Sequence, residues 1–238
     1  MANLFRDAQQ KRLFFLIHAA LLLVAALVAG RAFLANQPLF PAFKTRLPLG
    51  VVWNYTFIFL LWNLFLAALP FWFAFAAEKL QRDKRSPVWV GGLLLCWLAF
   101  FPNAPYIVTD LIHLKHRPPV PFWYDLATLF SGALTGLMLG LFSLYEADRA
   151  LQQAAIYQRR RRLFTLCIGL LCGFGIWLGR YQRFNSWDIV TRPFELLGNI
   201  IESLATRAVF MQAMGVTLLF SALVLTGYAL LSAMLQRD

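Results

Sequence analysis

Six long apolar runs constrain what this chain can become. They extend from Leu13 to Leu34, Val51 to Ala77, Pro87 to Phe101, Leu126 to Tyr145, Leu163 to Leu178 and Val209 to Leu235. A helix needs about 20 mostly apolar residues to cross a bilayer. In lipid, a backbone must satisfy its own N–H and C=O groups, which makes helices the expected form of such runs. The expected fold is therefore all-α, an integral membrane bundle of about six transmembrane helices. Composition agrees: the residues AVILMFWYC make up 60% of the chain and charged residues 14%, whereas a soluble domain carries about 25% charge. No stretch marks a second, soluble domain, so residues 1–238 are expected to form one polytopic membrane domain.

The runs carry their own irregularities. The first follows Lys11 and Arg12, as a signal peptide's core would, with small residues near Ala29. It is long for a signal and no soluble domain follows, so a retained helix is expected. Asn54, Asn63 and Pro70 interrupt the second run, and the proline predicts a kink tolerated through neighbour contacts. The third meets Pro102-Asn103-Ala104-Pro105. Two prolines three residues apart disfavour regular helix, so helix three is expected to break there. Gly132, Gly136 and Gly140 in helix four, and Gly169, Gly173, Gly175 and Gly179 in helix five, recur at close-packing spacing. They predict contacts within the bundle, with a homo-oligomer interface as the alternative. Phe194, Leu197, Ile201 and Leu204 share one helical face. An interfacial amphipathic helix is expected there, before helix six.

Net charge is +11. The basic residues lie in short loops between apolar runs, which points to membrane topology and headgroup contact rather than nucleic acid. With the N-terminus inside, the inner segments hold Arg6, Lys11, Arg12, Lys79, Arg82, Lys84, Arg85, Arg149, Arg159 to Arg162 and Arg237. The outer segments hold Arg31, Lys44, Arg46, Lys115, Arg117, Arg180, Arg183, Arg192 and Arg207. The excess of lysine and arginine on the first side predicts that both termini are cytoplasmic. The four-arginine cluster is expected to act as a stop signal, with a lipid site as its sharper use. Cys96, Cys167 and Cys172 lie in apolar runs without metal or disulfide spacing and are expected to be buried and inert. His18 is expected to pack rather than bind haem. The cofactor is left unknown, and no metal ligands are assigned.

Polar residues of a different kind gather at the outer ends of helices, in three stretches: Phe101 to His113, Pro121 to Asp125 and Gly179 to Asp188. On one helix Asp110, His113 and His116 would share a broad face. A carboxylate beside an imidazole is an acid–base pair, so Asp110 and His113 are the catalytic candidates. Metal binding and plain structural pairing are the alternatives. Arg180 and Arg183 share a helical face and suit a phosphate or carboxylate through planar bidentate contacts. Pairing with Asp110, Asp125 or Asp188 would instead neutralise them, and Arg31, Lys44 and Arg46 are left to solvent. Asn185 caps a short helix in the expected reading, with Asp188 three residues on. Trp123, Tyr124, Tyr181 and Trp187 fit an interfacial aromatic belt. The substrate-binding candidates are Asn103, Tyr124, Asp125, Arg180, Arg183, Asn185 and Asp188, converging on one outward-facing pocket.

The stretches FPNAPYIVTDLIHL from Phe101 to Leu114, FWYDL from Phe122 to Leu126 and GRYQRFNSWDIV from Gly179 to Val190 resemble a bacterial family of multi-pass membrane proteins, domain of unknown function 1361. The resemblance spans roughly helix two to helix six. It implies a bacterial cytoplasmic membrane protein and implies no reaction. Two function classes follow. One is an enzyme or binding protein acting on an anionic lipid-linked or envelope substrate. The other is a transporter or a non-catalytic assembly partner. Ionisable residues near helix ends, and the lack of an inverted repeat, favour the first.

Overall fold

The structure is a computed structural model that describes residues 4–35, 57–152 and 154–235. The expected start of the second run, with Asn54, and Lys44, Arg46 and Arg237 of the charge count lie outside the described residues. Six helical segments among the described residues are long and apolar enough to cross a membrane. They are α1 (Ala8–Leu34), α2 (Ile58–Arg82), a broken third span (Pro87–His113), α5 (Phe122–Leu151), α6 (Ala155–Tyr181) and α9 (Arg207–Leu235). Within the third span, α3 (Pro87–Phe100) gives way to a single turn, α4 (Asn103–Tyr106), and then to 3-10 turns over Ile107–His113.

Helix α2 is central, packed against α3 and α5, while α1 lies on α5 and α9 lies on α6. One apolar cluster joins α1, α2, α4 and α5 through Val24, Leu60, Leu64, Ala104, Ile107 and Leu139. A second joins α3, α5, α6 and α9 through Trp97, Leu144, Ile176 and Val224. Large apolar side chains such as Leu22, Leu95, Leu171 and Leu219 point outward instead, as a bilayer requires. Cys96 and Cys167 belong to this outer surface, contrary to the expected burial, and Cys172 is buried.

The break has a local cause and a tertiary seat. Pro102 and Pro105 have no N–H to donate, so the backbone bonds shorten their reach: Ala104 N donates to the Phe101 carbonyl. Broken backbone at membrane depth must be covered by protein, and Ala104 and Pro105 are buried. Glycines provide the cover. A Cβ on Gly136 of α5 would lie 2.7 Å from the Ala104 carbonyl oxygen, and one on Gly175 of α6 would lie 2.6 Å from Pro102 Cγ. The other glycines at this spacing also pack inside the bundle, with Gly173 against the Thr217 carbonyl of α9.

The connections between spans hold two more helices, α7 (Asp188–Thr191) and α8 (Pro193–Ala205). No residue of α8 is buried, and Phe194, Leu197 and Ile201 are exposed. An exposed apolar face on a helix beside six spans fits the membrane interface.

Because the spans alternate in direction, the buried charges collect at two ends. At the end near the N-terminus, Arg6 reaches Glu78 at 3.3 Å and Glu146 at 3.5 Å. The Gln10 amide donates to Glu146 at 2.8 Å. Beside them Arg161 makes a bidentate pair with Asp148, both bonds 2.7 Å. At the opposite end lie the three polar stretches.

Candidate functional site at the broken helix

A cavity of about 450 Å³ lies beside the break, between α2, α3 and α6. Its apolar wall includes Leu95 and Leu98 of α3 with Leu171 and Phe174 of α6. Leu95 and Leu171 are also exposed on the outer surface, so the cavity opens sideways through the apolar wall. Its polar part is built by Asn63, Asn103, Tyr106, Asn185 and Ser186. Asn103 is fixed by its amide, which donates to the Phe100 carbonyl at 3.0 Å and to Ser186 Oγ at 2.9 Å. That bond ties the broken helix to the loop after α6.

The loop is shaped by Arg183, whose φ of 59° is left-handed. It ends α6 and turns Phe184 and Asn185 back onto the cavity. Asp188, 1% exposed, holds the turn: its carboxylate accepts from Asn185 N at 2.7 Å and from Arg192 Nη2 at 2.9 Å. The Asn185 N–H, then Arg192, holds the Asp188 carboxyl below the usual carboxylate range. This is one half of the expected capping box. Asp188 stands in the first turn of α7 itself and Trp187 takes the cap position, so the reciprocal side-chain bond from the cap is not made.

The candidate residues divide. Asp110, 2% exposed, accepts from the Asn63 amide at 2.7 Å and pairs with Arg180 at 3.5 Å. Arg180 also donates to Tyr106 Oη at 3.2 Å and to the Thr109 carbonyl, and its guanidinium lies over the Tyr106 ring. Asp110 and Arg180 thus form a network behind the cavity's polar wall. Arg183 is exposed and makes no ion pair among the described residues.

His113 does not join Asp110 by any hydrogen bond among the described residues; its ring packs on Phe59 at 4.8 Å. His116 departs from the expected shared face because the 3-10 turns end at His113, and it lies exposed in the following loop. Tyr124 and Asp125 face α1 rather than the cavity. The Tyr124 hydroxyl donates to the Leu27 carbonyl at 3.0 Å. Asp125, fully buried, accepts from Arg31 Nε at 2.7 Å and Nη2 at 3.0 Å. Arg31 is therefore buried and paired, not solvated: an unpaired charge at that depth would be costly. His18 packs as expected, stacked on Phe14, its Nδ1 donating to the Phe14 carbonyl and its Nε2 accepting from Trp72.

Asn63, Ser186, Glu78, Glu146 and Asp148 were not among the candidates. For all but Ser186, which lies eight residues past Leu178, the signal was a polar or acidic residue inside, or one to three residues beyond, an apolar run. Helices α2 and α5 continue past Ala77 and Tyr145, and this carries the acids into the bundle.

Six apolar spans with a break lining a lateral cavity place the chain among polytopic α-helical membrane proteins. It belongs to the protein family of unknown function DUF1361, which it matches over residues 62–226. That match contains the break, the cavity and all three polar stretches. No curated protein and no solved structure matches the chain.

Proposed function

We propose that the cavity binds an anionic, lipid-linked amphiphile entering sideways from the outer leaflet of a bacterial cytoplasmic membrane. One observation carries the reading: a cavity open through the apolar wall and polar at the break. An acyl or prenyl chain suits Leu95, Leu98, Leu171 and Phe174, and a headgroup suits Asn103, Asn185 and Ser186. The volume falls within the range of small-molecule sites, about 300–1,000 Å³. Arg183, exposed and next in sequence to Phe184 of the cavity lining, is the cation assigned to the headgroup at the cavity's rim, because Arg180 is committed to Asp110, Tyr106 and Thr109. Asp110 keeps the positioning role that this network gives it, and His113, packed on Phe59 and not part of the cavity lining, is given no role in binding.

The outer placement rests on the excess of lysine and arginine at the end holding Arg6 and Arg159 to Arg162. A transporter would need a path across the bundle. The buried charges gather at the two ends, with the apolar clusters between them, and this favours binding over passage. The test is retention of a photoreactive anionic phospholipid by wild type, Arg183→Gln and Leu98→Trp in matched detergent. Crosslinks at residues 95–106 are expected in wild type and are expected to fall about tenfold in both variants, in Arg183→Gln through the loss of one charge-assisted contact and in Leu98→Trp because the larger ring fills the apolar part of the cavity. Equal crosslinking in folded variants refutes the assignment.

A further inference from the structure

A second feature lies at the opposite end of the bundle and has no part in the cavity. Four consecutive arginines, Arg159 to Arg162, border an open surface depression of about 550 Å³ together with Gln158 and Leu163. They are not equivalent. Arg161 is turned inward onto Asp148, which is 1% exposed. Asp148 is saturated: it also accepts from Tyr157 Oη at 2.6 Å and from the Gln152 amide at 2.8 Å. It has nothing left for Arg159, Arg160 or Arg162, which are exposed and make no ion pair among the described residues.

The helix is not regular here. Arg160 leaves helical geometry, with φ −126° and ψ 23°, and α6 kinks at that point. Four successive residues on a straight helix would point around the whole axis. The kink, with Arg161 pinned to α5, lets the side chains border one space. Just beside it Ile156, Leu163 and Phe164 are exposed, which sets the space at the depth of headgroups rather than in open water.

We propose that Arg159, Arg160 and Arg162 form a binding site for the phosphate of an anionic phospholipid headgroup, with Arg161–Asp148 as its fixed base. Guanidinium groups match phosphate oxygens in planar, bidentate geometry. The chemistry is shared with free phosphate. The adjoining apolar residues favour the lipid source, because they hold its chain.

The probe is a phosphatidylglycerol analogue with a photoreactive headgroup, presented in phosphatidylcholine nanodiscs, with crosslinks mapped by mass spectrometry. Wild type is expected to crosslink within residues 156–164. The variant Arg159→Gln/Arg160→Gln/Arg162→Gln, with Arg161 intact, is expected to lose about tenfold or more of that signal. Lys84→Gln/Arg85→Gln removes charge from the same end through another loop and is expected to change it less than about twofold. The single variant Arg159→Gln, expected to lose about threefold, serves if the triple variant does not fold. Equal losses in the triple variant and in the Lys84/Arg85 variant would show diffuse attraction and overturn the site. An undiminished signal in a folded triple variant, or in Arg159→Gln, would do the same. Displacement of the lipid by millimolar inorganic phosphate would overturn the lipid assignment, since the acyl chain would then contribute nothing.

Discussion

Arg31 and Asp125 are 94 positions apart and meet in a bidentate pair inside the bundle. The Arg31 guanidinium also lies 4.0 Å from the Phe57 ring centroid. Removing one partner of such a pair strands a charge, which costs about 3–5 kcal/mol, whereas replacing both by apolar residues is often neutral. Arg31→Met is expected to lower thermal stability in detergent by that amount, and Arg31→Met/Asp125→Leu to recover most of it. A double variant no more stable than the single one would mean that the pair contributes more than charge balance. Arg183 presents the opposite case, an exposed cation on a left-handed backbone. Glycine removes the steric cost of about 1–2 kcal/mol, so Arg183→Gly is expected to stabilise the protein slightly while weakening anion binding. A loss of stability instead would point to a partner for this guanidinium.

At the level of elements, the broken span and the loop after α6 depend on how closely neighbours approach. Gly136 leaves no room for a side chain beneath Ala104. Gly136→Leu is expected to cost about 1–3 kcal/mol through overpacking. Gly215→Leu, where a Cβ would meet nothing within 4 Å, is expected to stay within about 0.5 kcal/mol; unfolding curves compare the two. The loop has a different control. The Asp188 carboxyl is held below its ordinary value by the Asn185 N–H and by Arg192, so it stabilises the loop only while ionised. That stability is complete above the unfolded value of about 4 and is lost as pH falls through the lower folded value. Protection from hydrogen exchange over residues 184–192, taken relative to the intrinsic rate at each pH, is therefore expected to stay constant from about pH 7 to 4.5 and to fall below about pH 4. Asp188→Asn should show low protection throughout. Unchanged wild-type protection at acid pH would remove Asp188 from this role.

For the whole molecule, topology is the outstanding prediction. Single-cysteine labelling from outside the cell is expected at position 117 and not at position 160; the reverse result would invert the bundle and move the cavity to the inner face. The spans, the break at Pro102 to Pro105, the glycine spacing and the amphipathic stretch were legible in the sequence. Each rests on a local property: run length, a missing N–H, the absence of a side chain, or helical periodicity. Partners were only partly legible. The Arg180–Asp110 pair stood among the sequence's alternatives, but Asp110 also reached Asn63 rather than His113, and Asp125 reached Arg31 rather than the cavity. Glu78 and Glu146 were not singled out from the sequence, yet they share Arg6 and Gln10. Hydrophobic length and backbone sterics act within a few turns of chain, so sequence by itself determined the helices and where one of them breaks. Which charge neutralises which depends on the side chains that the packed helices bring within about 4 Å, and that only the tertiary structure decided.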